Sequence, residues 1–169
     1  MILYLDTSAV VKLYADETGS DRVRAGIAEA KVCATHLIAY AETRAAFARK
    51  VQQPGYKDCL QSWREDFERD WPSFEIVGVT QELIHRAGDL AEAHRLRGYD
   101  SVHLAAAEAL WHITAGLDFS FLVFDGDLAN AAQRVGIRLY VEQLYLTRCS
   151  FRFVRTIGTS LSSTFAYCF

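Results

Sequence analysis

Hydrophobic and polar positions alternate along this chain in blocks rather than residue by residue. The first block, "ILYL" (Ile2 to Leu5), is unbroken and apolar, and Asp6 ends it. A short continuous run of this kind suits a strand covered on both faces, as central parallel strands are. Four more such blocks follow: "KVCAT", "FEIVGV", "FLVF" and "IRLYV". Between them lie stretches with apolar residues at helical spacing, beginning with "AVVKLYA". The others are "SDRVRAGIAEA", "LIAYAETRAAFARKV", "YKDCLQSWREDFERDW", "QELIHRAGDLAEAHRL", "DSVHLAAAEALWHI" and "DLANAAQRVG". Strand–helix alternation predicts an α/β fold, a mostly parallel sheet of about five strands with helices on both faces. The two prolines, Pro54 and Pro72, both fall at breaks between these blocks, and no internal repeat is present.

Composition narrows the picture. At 169 residues the chain reads as one domain with a sizeable core. No apolar run approaches a membrane span, and the N-terminus lacks a basic-then-apolar leader, so a cytoplasmic protein is expected. Cys33, Cys59, Cys149 and Cys168 are scattered without a CxxC pair, which argues against a zinc site or disulfide framework. From Glu142 the pattern changes to a block without helical period, rich in Ser, Thr and aromatics. That block carries +2, which leaves −5 on residues 1–141 of a total of −3. The expected organisation is a domain over 1–141 and an atypical tail over 142–169. An acidic balance is no nucleic-acid signature. It does not exclude a nuclease either, because a carboxylate cluster that holds cations is itself concentrated negative charge.

Four acids stand where the carboxyl edge of such a sheet recurs. Asp6 ends "ILYL" and Asp125 ends "FLVF", each at a strand-to-helix turn. Asp100 opens the helix after "RGY", and Glu42 lies early in the helix "LIAYAETRAAF". Open α/β sheets bind ligands along that edge. Each acid also has a structural reading: Asp6 and Asp100 as helix N-caps, Asp125 as a turn residue, Glu42 as a half-exposed helix position. Convergent carboxylates would repel one another, and a hard divalent cation is the usual answer. Asp118 enters a strand at its amino end, about 20 Å of chain from Asp125, so it belongs on the opposite edge. Asp16 and Glu17 read as loop, and "REDFERD" as a solvated helix face. His103 sits one turn into the Asp100 helix, where a lone histidine is more often packed or hydrogen-bonded than catalytic. Arg44 and Arg49 flank Glu42 and are either surface charges or phosphate contacts.

Taken together, "MILYLDTSAVVKLYADE", "CATHLIAYAETRAAFAR", "RGYDSVHLAAAEAL" and "FLVFDGDLANAAQRVGI" resemble the PIN domain, specifically the VapC-type toxins of toxin–antitoxin pairs. The resemblance spans about residues 1–141, in the family's order. It implies a three-layer α/β/α fold and a metal-dependent endoribonuclease acting on RNA such as transfer RNA. Asp6, Glu42, Asp100 and Asp125 match the family's acidic quartet, which binds Mg²⁺ or Mn²⁺, with Asp6, Asp100 and Asp125 as direct ligands. Glu42 either ligates or orients the attacking water. Ser8 or Thr7 matches the hydroxyl that orders the site, and Asp127 is an accessory. Lys12, Arg44 and Arg49 are the candidate RNA contacts. The implied partners are a VapB-like antitoxin and a second copy of the chain, as a homodimer. The tail after about Val141 departs from the family pattern.

Rival readings are weaker on the residues themselves. A haloacid-dehalogenase-like phosphatase needs a second Asp two residues after Asp6, where this chain has Ser8. A receiver domain needs paired acids at the first strand end. A flap-endonuclease relative needs further acids and a DNA-gripping insertion. The alternative that stays open is a catalytically silent PIN scaffold that acts only by binding a partner.

Overall fold

A computed structural model describes residues 1–114 and 117–141, so the expected tail over 142–169 lies outside the described residues. Four strands form one all-parallel sheet there: β1 (Ile2–Leu5), β2 (Val32–His36), β3 (Glu75–Val77) and β4 (Phe119–Leu122). Their spatial order is β3-β2-β1-β4. The helices are α1 (Thr7–Tyr14), α2 (Ser20–Glu29), α3 (Ile38–Lys50), α4 (Leu60–Asp70), α5 (Gln81–His94), α6 (Gly98–Ile113) and α7 (Gly126–Arg134).

The two-residue period of a strand sorts the core into two layers. Along β1, Leu3 and Leu5 face one way, onto Val10, Val23, Phe47, Trp63 and Phe67 from α1 to α4. Tyr4 faces the other way, onto Leu90, Leu104, Leu128 and Ala132 from α5 to α7. Residues Leu3, Tyr4 and Leu5 are fully buried, which is what an unbroken apolar strand requires. On the α1–α4 side, Phe47, Trp63, Phe67 and Trp71 pack ring against ring, with Phe47 and Phe67 edge to face at 5.9 Å between centroids. Burying a side chain of this size contributes roughly 1.5–3 kcal/mol, so this cluster anchors the helical layer to the sheet.

Register then fixes the site. Tyr4 pairs with Ala34 on one side and with Phe121 on the other, so the strands end level at their carboxyl edge. The chain adds β2 and β3 to one side of β1 and β4 to the other. The order therefore reverses at β1, and the crevice at the carboxyl ends of β1 and β4 is a topological switch point. Asp118 lies on the opposite edge, where its carbonyl accepts from the Ile2 N–H and its carboxylate pairs with Arg138.

Several elements differ from the sequence expectation. The expected fifth strand, "IRLYV", makes a single parallel bridge, Phe121 with Leu139, rather than a ladder. The Arg138 guanidinium donates to the Phe119 carbonyl at 3.1 Å, occupying an acceptor that a longer ladder would use. Strand β3 keeps only three residues of "FEIVGV", and β4 begins two residues before "FLVF". Asp100 is the third residue of α6 rather than its cap; Arg97 holds the cap position without a side-chain hydrogen bond.

Gly19 caps α2 with φ of 95°, in the left-handed region, and a Cβ there would stand 2.5 Å from Cε1 of Phe124. Both the backbone conformation and the close approach require glycine. We expect Gly19→Ala to cost about 1–3 kcal/mol in urea unfolding. A variant as stable as the parent would mean that the Phe124 ring yields freely.

Candidate active site

The first helix turn after β1 supplies the deepest carboxylate. Asp6 is the N-cap of α1: its Oδ1 accepts from the Ala9 N–H at 3.0 Å, and the Ser8 hydroxyl donates to both oxygens at 2.9 Å. The residue is 5% exposed. Asp125 repeats the arrangement after β4, capping α7 by accepting from the Leu128 N–H at 2.9 Å. Both caps exist because a helix start leaves N–H groups without intrahelical partners and favours negative charge.

Glu42 reaches the same crevice from the first turns of α3. Its Oε2 accepts from the Thr7 hydroxyl at 2.5 Å and lies 3.0 Å from Nε2 of His103 on α6. Thr7 Oγ1 is itself 3.0 Å from that nitrogen, and the other ring nitrogen, Nδ1, stands 3.3 Å from the Tyr4 hydroxyl. Asp100, one turn before His103, completes the group. Asp6, Thr7, Ser8, Glu42, Asp100, His103 and Asp125 line one cavity of about 390 Å³, with Arg49 and Arg97 also in its wall.

The electrostatics are those of negative charge gathered with too few cations. Burial pushes the Asp6 carboxyl above its ordinary range, against the Ala9 and Ser8 hydrogen bonds. Burial also raises Asp100, reinforced by the charge of Asp125 and opposed by Arg97. Glu42 goes the other way: burial raises it, but hydrogen bonds from His103 and Thr7 outweigh that and hold it ionised below its ordinary value.

The oxygen-only carboxylate set suits a hard divalent cation, and the raised Asp6 and Asp100 are the strain such a cation would relieve. Among the described residues no group of three or more acidic, histidine or cysteine side chains stands arranged to hold a metal ion. Mg²⁺ would require the carboxylates to close in and would keep several waters of its own.

Other sequence candidates fall elsewhere. Asp127 is exposed on the first turn of α7 and does not line the cavity. Lys12 is engaged with Glu17 at 2.6 Å, and its ammonium lies 4.7 Å from the Phe124 ring centroid. Arg44 is engaged with Glu68 at 2.6 Å, outside the cavity. Of the three expected RNA contacts, Arg49 alone lines the crevice. Two residues set aside or unnoticed in the sequence do line it: Glu17, read as loop, and Arg97. Glu17 is held by Lys12 and Lys50, 33 residues further along, a pairing with no local signature. Arg97 stands three residues before Asp100 at the helix entry, which could have marked it.

Similarity to known proteins bears on the family and the fold. The family model described as PIN domain matches residues 3–133. The chain belongs to the PIN domain family. Within it, the chain is 37% identical over 147 residues to the protein named Ribonuclease VapC49 of Mycobacterium tuberculosis strain H37Rv, covering 85% of this chain and 97% of that one. Ribonuclease VapC46 of the same strain is 29% identical over 136 residues, covering 80% and 93%. Among solved structures, FitAcB from Neisseria gonorrhoeae superposes with a TM-score of 0.60 at 19% identity, covering 84% of this chain and 98% of that one. VapBC2 from Rickettsia felis, bound to a fragment of its promoter DNA, gives 0.55 at 15% identity, covering 83% and 98%. At those identities the two structures speak for the fold.

The raised Asp100 sets a sign for stability. In protein freed of divalent ions, the folded state binds the proton more tightly than the unfolded one. Stability therefore falls as pH rises from the ordinary carboxylate range through the raised value, and the loss is complete above it. Asp100→Asn should melt about 2–4 °C higher than the parent at pH 7 without divalent ions, with the gain shrinking towards pH 4. A gain independent of pH would contradict this electrostatic account.

Proposed function

We propose that the chain is an endoribonuclease toxin of a toxin–antitoxin pair, hydrolysing RNA phosphodiester bonds with a divalent cation, Mg²⁺ or Mn²⁺. The observation that carries this reading is the convergence of Asp6, Glu42, Asp100 and Asp125 on one crevice at the switch point of the sheet. The similarity to proteins named VapC ribonucleases supports the substrate class.

Asp6, Asp100 and Asp125 would hold the cation. A cation there would polarise the scissile phosphate and lower the pKa of a bound water. Glu42, held by the Thr7 hydroxyl and His103, would orient that water and take its proton. In-line attack on phosphorus then releases the 3′-oxygen, leaving a 5′-phosphate and a 3′-hydroxyl. Arg49 and Arg97 would hold flanking phosphates, giving a local positive rim on a chain that is acidic overall. A groove of about 340 Å³ lined by Ile38, Ala41, Ala45, Arg49 and Tyr99 shares Glu42 with the crevice and offers the strand a path.

The partners follow from the same reading: a VapB-like antitoxin that covers the crevice, and a second copy of the chain. No helix among the described residues is long and apolar enough to cross a membrane, which accords with action on RNA in the cytoplasm.

With total RNA as substrate, the purified protein should yield discrete fragments bearing 5′-phosphates in Mg²⁺ or Mn²⁺ and none in EDTA. Asp6→Asn should lower the rate by at least about 100-fold. Cleavage that persists in Asp6→Asn would sink the metal-nuclease reading, whereas a folded, metal-bound parent without cleavage would favour the silent scaffold. Arg49→Ala should weaken RNA binding on every sequence and reduce the salt slope by about 1. An unchanged salt slope would remove Arg49 from the phosphate path.

A further inference from the structure

We propose that His103 is a positioning residue for Glu42: with Tyr4 behind it and Thr7 beside it, it occupies Oε2 of that carboxylate and leaves Oε1 to serve the cation or the water. This inference rests on the nuclease reading above and concerns residues outside the acidic quartet.

The geometry is a hydrogen-bonded chain running from the core to the cavity. Tyr4 is fully buried in the central strand, and its hydroxyl stands 3.3 Å from His103 Nδ1. The Tyr4 ring is held from behind by Phe121 of β4, edge to face at 5.2 Å between centroids. In the proposed arrangement the Tyr4 phenol donates its hydrogen to Nδ1. A donor at Nδ1 makes that nitrogen the acceptor and puts the imidazole hydrogen on Nε2. Nε2 faces Glu42 Oε2 at 3.0 Å, and the Thr7 hydroxyl donates to the same oxygen at 2.5 Å.

One carboxylate oxygen thus receives two donors, while among the described residues no hydrogen bond is given to its twin. His103 is 2% exposed, and its ring stands edge to face with Tyr4 and with His36, each 6.2 Å between centroids. What it can do is fix a rotamer. A glutamate has three side-chain torsions, and an untethered one would sample positions that miss the reacting atoms by more than the tolerance of catalysis. Partners that orient a ligand in this way typically matter 10–100-fold to metal affinity or rate.

Three variants test it: His103→Leu removes the donor, His103→Gln keeps one at similar reach, and Tyr4→Phe deletes only the hydroxyl that sets the tautomer. Melting temperature checks folding. Mn²⁺ titration followed by electron paramagnetic resonance reads the site without turnover, and RNA cleavage gives kcat and KM. We expect His103→Leu to weaken Mn²⁺ binding and lower kcat about 10–100-fold with KM little changed. His103→Gln should recover most of both, and Tyr4→Phe should shift both the same way by a smaller factor. Long-range ¹H–¹⁵N spectra should show His103 with its hydrogen on Nε2 in the parent and a tautomer mixture in Tyr4→Phe. A folded His103→Leu with parental Mn²⁺ affinity and kcat, a glutamine no better than leucine, or a parental Nδ1–H tautomer would overturn the proposal alone. A parent that binds no Mn²⁺ and cleaves no RNA would overturn the nuclease reading and this inference with it.

Discussion

Asp6 is a carboxylate at the end of the central strand with almost no access to water, and the surrounding architecture answers its charge. Isolated in an apolar interior, such a group would cost several kcal/mol. Here it is met by the Ser8 hydroxyl, the Ala9 N–H and the N-terminus of α1, and the same peptide turn that ends β1 begins that helix. Asp125 is met in the same way by α7. Helix cap and chemical group, alternatives in the sequence, are therefore compatible roles for one side chain. Capping anchors one oxygen of each carboxylate to backbone, and that anchoring makes the side chain rigid enough to hold anything else.

Two cores hold this turn in place from opposite sides. Leu3 and Leu5 lock β1 to the aromatic cluster of α3 and α4, while Tyr4 locks it to α5, α6 and α7. Because successive side chains of one strand enter different layers, neither helical layer can shift without moving Asp6. Tyr4 has a second duty, since its ring belongs to the core and its hydroxyl to the hydrogen-bonded chain that ends at Glu42. Packing and site geometry are in this sense set by the same three residues.

What could be read from the sequence follows from which signals are local. Strand runs ending in Asp and helices starting beside them are local, and Asp6, Asp125, Glu42 and Asp100 do meet in one crevice. The edge on which Asp118 lies is local too. The failures are long-range or angular. Glu17 joins the cavity wall through lysines at positions 12 and 50, and Lys12 is thereby withdrawn from the substrate. Arg44 is withdrawn by Glu68 across a helix pair. Asp127 lies two residues from Asp125 but about 200° around the helix axis, so it faces solvent. The fifth strand had a strand's composition, yet a side chain, Arg138, takes a carbonyl that pairing would have needed. His103 looked like a core histidine and is one; its buried ring also touches Glu42, 61 residues away.

The distribution of charge around the crevice has a logic of its own. Lys12 and Lys50 both lie near the acids, yet both are spent on Glu17 rather than on the quartet. Arg97 and Arg49 stand in the wall without a hydrogen-bonded ion pair to Asp6, Asp100 or Asp125. A protein that needed only to neutralise those acids could have turned an arginine onto them, as Arg86 is turned onto Glu108 with two hydrogen bonds. Leaving the carboxylates under-compensated at the floor and the guanidiniums free at the rim keeps two attractions separate. On the proposed reading the floor would draw a cation and the rim would draw phosphate. Both would be satisfied together only when a phosphodiester bridges them, so substrate and cation would each improve the site for the other. The same arrangement would favour an antitoxin segment that brings its own positive charge to the floor, because such a group would compete with the cation directly.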